Sequence, residues 1–113
     1  MNNNKYLWEV FKKTSKNRNF EQSVFQYVKN KKIKLPTYLS AGQETISASL
    51  AQICKTKKIK PLIFGQHRCH SIYLSFGGSI DKLILELLGS RNGCSYGMGG
   101  SASIHSEKIN MYG

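Results

Sequence analysis

A chain of 113 residues and 12.8 kDa has room for one small domain and none for a cofactor domain with a separate substrate domain. Hydrophobic residues at 40%, with five Phe, six Tyr and one Trp, exclude a wholly disordered chain. Seventeen Lys and Arg against six Asp and Glu give a net charge of +11 and invite a polyanion-binding reading, yet thirteen of the seventeen lie in residues 1–60 with three of the acids, so the excess belongs to the front half.

In chain order, Tyr6, Leu7, Val10 and Phe11 recur at helical spacing, and Phe20, Val24, Tyr27 and Val28 resume the pattern after a polar stretch from Thr14 to Asn19. The spacing predicts two amphipathic helices separated at that stretch, in an N-terminal segment spanning 1–35. Lys12, Lys13, Lys16, Lys29, Lys31 and Lys32 fall on their solvated faces. Pro36 closes this segment, and 36–113 is read as the second unit. From Gly42 onward Ile46, Leu50 and Ile53 share a stripe beside Ser47, Ala48 and Ala51, the pattern of a buried helix, which ends in the cations Lys55 to Lys60. Pro61 stops that helix. The apolar run Leu62-Ile63-Phe64 predicts a short buried parallel strand, followed by a helix through Ile72, Tyr73, Leu74 and Phe76. Ser79 is the expected cap of the next helix, with Asp81 in its first turn, Ile80, Leu83, Ile84, Leu87 and Leu88 on its apolar face, and Gly89 as its stop. Gly93, Gly97, Gly99 and Gly100 then predict a flexible loop that also carries Cys94, Ser95, Tyr96, Met98 and Ser101.

Chemistry concentrates where the strand hands over to a helix, at His67-Arg68-Cys69-His70. A guanidinium and an imidazole at a helix N-terminus suit a phosphate group; a polar loop with ordinary histidine hydrogen bonds explains the same residues. Two His three apart with a Cys between them raise zinc, but Cys69 points off the shared face and no second ligand pair has a recognised spacing. No metal site is assigned. Cys69 is read as a buried inert thiol, because adjacent positions seldom converge into a nucleophile and its base. The loop 93–101 has the composition to wrap an anion in backbone amides, although it is neither a Walker loop nor GxGxxG; a plain connector accounts for it equally. Glu44 has no evident partner. Three cysteines without CxxC spacing, and no signal-like apolar segment, suggest the cytoplasm. No apolar run approaches the roughly 18 residues of a membrane span.

The order of these pieces is more specific than any one of them. Arg18-x-Phe20-Glu21, Tyr38-Leu39-Ser40-Ala41-Gly42-Gln43-Glu44, His67-Arg68-x-His70, Glu86-Leu87-Leu88-Gly89 and Gly93-Cys94-x-x-Gly97-x-Gly99-Gly100-Ser101 follow one another as in the alpha subunit of thiamine-diphosphate-dependent 2-oxo acid dehydrogenases. The chain resembles that family, the pyruvate, branched-chain and acetoin dehydrogenase type, from about Arg18 to Gly113.

The resemblance implies an α/β, doubly wound thiamine-diphosphate-binding fold, mostly helical in this stretch. It implies an oxidoreductase acting on an oxo group with a disulfide as acceptor: oxidative decarboxylation of a 2-oxo acid and acyl transfer to lipoamide. Arg68 and His67 match positions near the cofactor diphosphate, and His70 one beside the active-site channel. Tyr38 stands where many members carry a histidine that meets the substrate; a tyrosine there donates a hydrogen bond but takes up no proton near neutral pH. Catalytic candidates are thus Tyr38 and His70, and cofactor-binding candidates His67 and Arg68. The family's Mg²⁺ motif, Gly-Asp-Gly with a later Asn, does not occur, and Asp81, the sole aspartate, is followed by Lys82. The metal ligands are expected downstream, and the chain reads as an N-terminal fragment, inactive alone. Implied partners are a beta subunit or fused beta-like domain, in a heterotetramer, and a lipoyl-bearing acyltransferase. A reading from another class is a small basic module for nucleic acid or an acidic partner, but fourteen Lys to three Arg fit base readout poorly.

Overall fold

The computed structural model describes residues 2–113. It is mainly helical: α1 spans Asn3–Lys29, α2 Glu44–Thr56, α3 His70–Ser75 and α4 Ile80–Leu87, with one 3-10 turn at Glu107–Ile109. Among the described residues none of these helices is long and apolar enough to cross a membrane.

The two helices expected before Pro36 are one. The stretch Thr14 to Asn19 contains no Gly or Pro to break α1, and its polarity has another cause. Asn17 is buried and its amide donates to Ser75 Oγ at 2.8 Å, so the polar patch is where α1 crosses the end of α3. The helix begins on Asn2, whose side chain accepts from the Lys5 amide.

The small residues of α2 form its buried side, as expected, but the aliphatic stripe beside them does not. Ser47, Ala48 and Ala51 are buried with Gln52, while Ile46, Leu50 and Ile53 face outward, 65%, 53% and 39% exposed. Small side chains let α1 and α3 approach the α2 backbone closely, and that contact, not the aliphatic stripe, seats the helix. The α4 expectations hold: Ser79 Oγ accepts from the Lys82 amide, Asp81 lies in the first turn, and Gly89 follows in the left-handed conformation with φ +75°. Leu83 and Leu87 are buried, while Ile84 and Leu88 border an open apolar groove shared with Phe11, Phe20 and Tyr27 of α1.

The strand at Leu62-Ile63-Phe64 is reduced to one parallel bridge between Ile63 and Met111, beside an antiparallel bridge of Ser106 with Met111. Ile63 donates its amide to Asn110 O, and Tyr112 returns one to Ile63 O. Only Ile63 of the three is buried; Leu62 and Phe64 point the other way, outward. Phe20, Val24 and Ile33 from the 1–35 segment pack in one hydrophobic core with Ile63, Tyr73, Leu74, Leu83, Leu87, Ile104 and Met111.

Candidate functional site

Three of the four sequence candidates meet on one face. Tyr38 and His67 pack edge to face, with ring centroids 5.2 Å apart. The Arg68 guanidinium donates to the carbonyl of Leu39, next to Tyr38, at 2.9 Å. His67 and Arg68 are exposed and Tyr38 is half-buried. Arg68 takes φ +65°, a left-handed conformation that costs an L-residue roughly 1–2 kcal/mol. A strained backbone carrying a side chain outward, at the junction before α3, is the kind of outlier that marks functional positions.

At the start of α3 the Ser71 amide is taken by Ser40 Oγ at 3.1 Å, and so is not offered to an anion.

His70, implied by the resemblance to lie beside the active-site channel, is enclosed by the chain's own residues. It is 0% exposed. Its Nδ1 is 2.8 Å from Glu21 Oε1 and its Nε2 2.8 Å from Ser101 Oγ. An ionised carboxylate only accepts, so Nδ1 carries a proton and Glu21 fixes the tautomer. With both nitrogens engaged, His70 presents no donor or acceptor to a substrate in this structure. The Glu21 carboxylate also accepts from the amide and hydroxyl of Ser40, at 3.3 and 3.2 Å. Ser101 Oγ in turn accepts from the Tyr38 amide at 2.9 Å. His70 therefore sits at the centre of a buried polar seam that ties α1, the 38–40 segment, α3 and Ser101 together directly behind the Tyr38, His67 and Arg68 face.

The glycine-rich loop does not offer the amides of Ser95, Gly97, Gly99 and Gly100 to an outside anion. Its amides converge on a carboxylate of the protein itself. Glu86 Oε2 accepts from Ser95 and Gly97, each at 2.8 Å, and Oε1 from Gly99 and Gly100, each at 2.9 Å. Gly97 and Gly100 adopt φ +78° and +59° to aim those amides inward. A Cβ on Gly97 would stand 2.8 Å from the carbonyl oxygens of Gly89 and Ser90, and one on Gly99 would collide with the carbonyl of Ser103.

Glu86 and Glu21 carry no role in a sequence reading, although a signal exists for Glu86: an acid at the i+3 position from Leu83, inside an apolar helix face, must find donors. Glu44, isolated in sequence, does have a partner. Arg18 Nε and Nη2 approach its two oxygens at 2.6 and 3.1 Å. That guanidinium holds the Glu44 carboxyl below its ordinary range, against the opposing effect of burial. Burial pushes the Cys69 thiol up to about 11, in keeping with an inert core cysteine. Among the described residues no three His, Cys, Asp or Glu side chains gather as a metal site.

With the geometry in place, comparison defines the class: residues 12–113 match the family model of the dehydrogenase E1 component, and the chain belongs to that family. It is 34% identical over 110 residues to the mitochondrial pyruvate dehydrogenase E1 component subunit alpha of Solanum tuberosum, covering 96% of this chain and 27% of the relative. The corresponding subunit of Chaetomium thermophilum is 34% identical over 117 residues, again 96% and 27%, and that of Saccharomyces cerevisiae 32% over 99 residues, 88% and 23%. The chain thus spans about a quarter of the length of these relatives. No solved structure matches it. All three relatives are mitochondrial by name, which overturns the cytoplasmic expectation; free thiols without CxxC spacing report a reducing environment and do not distinguish one such compartment from another.

Proposed function

We propose that this chain forms one side of the thiamine diphosphate site of an E1 alpha subunit, in an enzyme that oxidatively decarboxylates a 2-oxo acid and passes the acyl group to lipoamide. The observation that carries the reading is the convergence of Tyr38, His67 and Arg68 on one face of a chain that matches the E1 family over residues 12–113. The donor set fits a diphosphate. Arg68 offers a permanent charge and a planar fork of N–H groups, while His67 and the Tyr38 hydroxyl add further donors beside it. Thiamine diphosphate supplies, when bound, an electron sink for loss of CO₂.

In this proposal Arg68 binds a diphosphate oxygen and His67 borders the same group. Tyr38 orients the substrate by donating a hydrogen bond, without taking up a proton. His70 acts from behind: Glu21 holds its tautomer, and its Nε2 is held by Ser101, the residue that also fixes the Tyr38 amide. Mg²⁺ does not fit the residues of this chain, since it takes oxygen ligands and the buried carboxylates Glu21, Glu44 and Glu86 are already committed to protein donors. Its ligands belong, in this reading, to other parts of the enzyme. The parallel bridge of Ile63 with Met111 supports the doubly wound sheet of such a fold as two neighbouring parallel strands in outline. A beta subunit and a lipoyl-bearing acyltransferase complete the proposed assembly, and the chain alone does not decarboxylate pyruvate.

The test is titration of thiamine diphosphate, with Mg²⁺, into the chain embedded in a full-length E1 alpha subunit assembled with its beta partner. Arg68→Ala is expected to weaken apparent affinity at least tenfold, in line with loss of about 1.5–3 kcal/mol from a charge-assisted contact. Unchanged affinity removes Arg68 from the cofactor site.

A further inference from the structure

Glu86 is fully buried on α4, and no cation pairs with it among the described residues. Its charge is met by amide dipoles alone: four backbone N–H groups, two on each oxygen, all within 2.9 Å. Such a cradle is the arrangement a backbone nest offers to a bound anion. Here the anion is built in, so the cradle serves to hold the loop.

What the loop delivers is its last residue. Gly100, one of the four donors, precedes Ser101, whose Oγ lies 2.9 Å from the Tyr38 amide and 2.8 Å from His70 Nε2. Tyr38 is one wall of the candidate face. His70 lies two residues beyond Arg68, whose guanidinium closes the circuit on the carbonyl of Leu39. A second tie strengthens the loop from inside, where Ser95 Oγ donates to Ser103 O at 3.2 Å and accepts from the His105 amide at 2.9 Å. Glu86 thus reaches Tyr38 and His70 through named hydrogen bonds and the peptide bond between Gly100 and Ser101, and from there the chain, the Tyr38–His67 ring contact and the Arg68–Leu39 bond complete the face.

We propose that Glu86 is a positioning residue: its carboxylate sets the 95–100 backbone so that Ser101 clamps Tyr38 and His70, and through them the Tyr38, His67 and Arg68 face. The proposal rests on the cofactor-site reading above only for what that face binds. A glutamine at 86 retains shape but offers one acceptor oxygen, and turns an NH₂ group toward two N–H donors. An aspartate retains charge but is one methylene shorter and reaches one donor pair at most.

The experiment uses the 113-residue chain without cofactor, so its outcome is independent of thiamine diphosphate binding. Amide hydrogen exchange is followed at Ser95, Gly97, Gly99, Gly100 and Tyr38, with Ala48 and Val24 as controls in α2 and α1, and the His70 Nε2 nitrogen shift is read by NMR. In Glu86→Gln, exchange at the four loop amides and at Tyr38 is expected to quicken at least tenfold, with a displaced His70 Nε2 resonance and control amides within twofold of the parent. Glu86→Asp is expected to fall between. Faster exchange in the loop with Tyr38 and His70 unmoved would overturn the proposal and leave Glu86 a local brace. If Glu86→Gln unfolds, Ser101→Ala decides: it must reproduce the Tyr38 and His70 changes while the loop amides stay protected, and unchanged Tyr38 exchange refutes the clamp. Random-coil exchange at the four amides in the parent chain refutes it without any variant.

Discussion

Residues 67 and 68 turn their side chains outward, whereas residues 93–101 turn backbone amides inward. The first segment is held by few bonds and spends strain at Arg68 to present its guanidinium. The second is locked by a carboxylate that fills the space an anion would take. The difference separates two roles a phosphate-site sequence combines: contact with a ligand, and support of the residues that make contact. Substitutions in the first should alter binding and spare stability, and those in the second should do the reverse.

The largest expected effect is Gly97→Ala, which forces a side chain onto a φ of +78° and against two carbonyl oxygens. A loss of about 2–4 kcal/mol in urea unfolding of the 113-residue chain is expected, and a loss under about 0.5 kcal/mol would mean that the loop is not locked. Arg68→Gly should by contrast leave stability within about 1 kcal/mol of the parent, because glycine relieves the left-handed backbone while the bond to Leu39 is lost. In the full-length assembly it should still abolish tight cofactor binding. A large stability loss at Arg68 would erase the contrast between the segments.

The Arg18 and Glu44 pair lies between these extremes. A carboxyl held below its ordinary value stabilises the folded state fully above that value, 4.5, and loses the contribution as pH falls through its lowered folded value. Glu44→Gln is expected to cost about 1 kcal/mol at neutral pH, a figure discounted because Arg18 is half exposed. Thermal melts of variant and parent should converge once the medium is acidic enough to protonate Glu44; a gap that widens on acidification contradicts the pairing. The smallest effect concerns thiols. At mildly alkaline pH, iodoacetamide should label the partly exposed Cys54 first and Cys69 last, since burial raises the latter to about 11; mass spectrometry of partially labelled chain reports the order.

Local signals in the sequence were reliable where one residue decides one bond. Ser79, Asp81 and Gly89 mark the ends of α4 as the structure has them, whereas α2 ends at Thr56, with Lys58 in the left-handed conformation, before the Pro61 expected to stop it. Signals that depend on a neighbour misled. The aliphatic stripe of α2 faces outward because α1 and α3 select its small side, and the polar middle of α1 is a crossing point, since Asn17 meets Ser75. Tyr38, His67, Arg68 and His70 all stand in the shared motif order; the structure adds that the first three share a face and that His70 is buried behind it. Its burial depends on Glu21, forty-nine residues earlier, and no local pattern announces that pairing.

The three buried glutamates also shape how the molecule meets its surroundings. With Glu21, Glu44 and Glu86 turned inside, the acids left toward solvent are Glu9, Asp81 and Glu107, facing seventeen basic residues. Close to its surface the protein is therefore a denser cation than a net charge of +11 conveys, and its field, which reaches about 30 Å at 0.01 M salt, is cut to about 10 Å at 0.1 M. On a cation-exchange column it should be retained longer than a protein of equal net charge whose carboxylates lie outside, and nucleic acid carried through purification is to be expected as a passenger of that field.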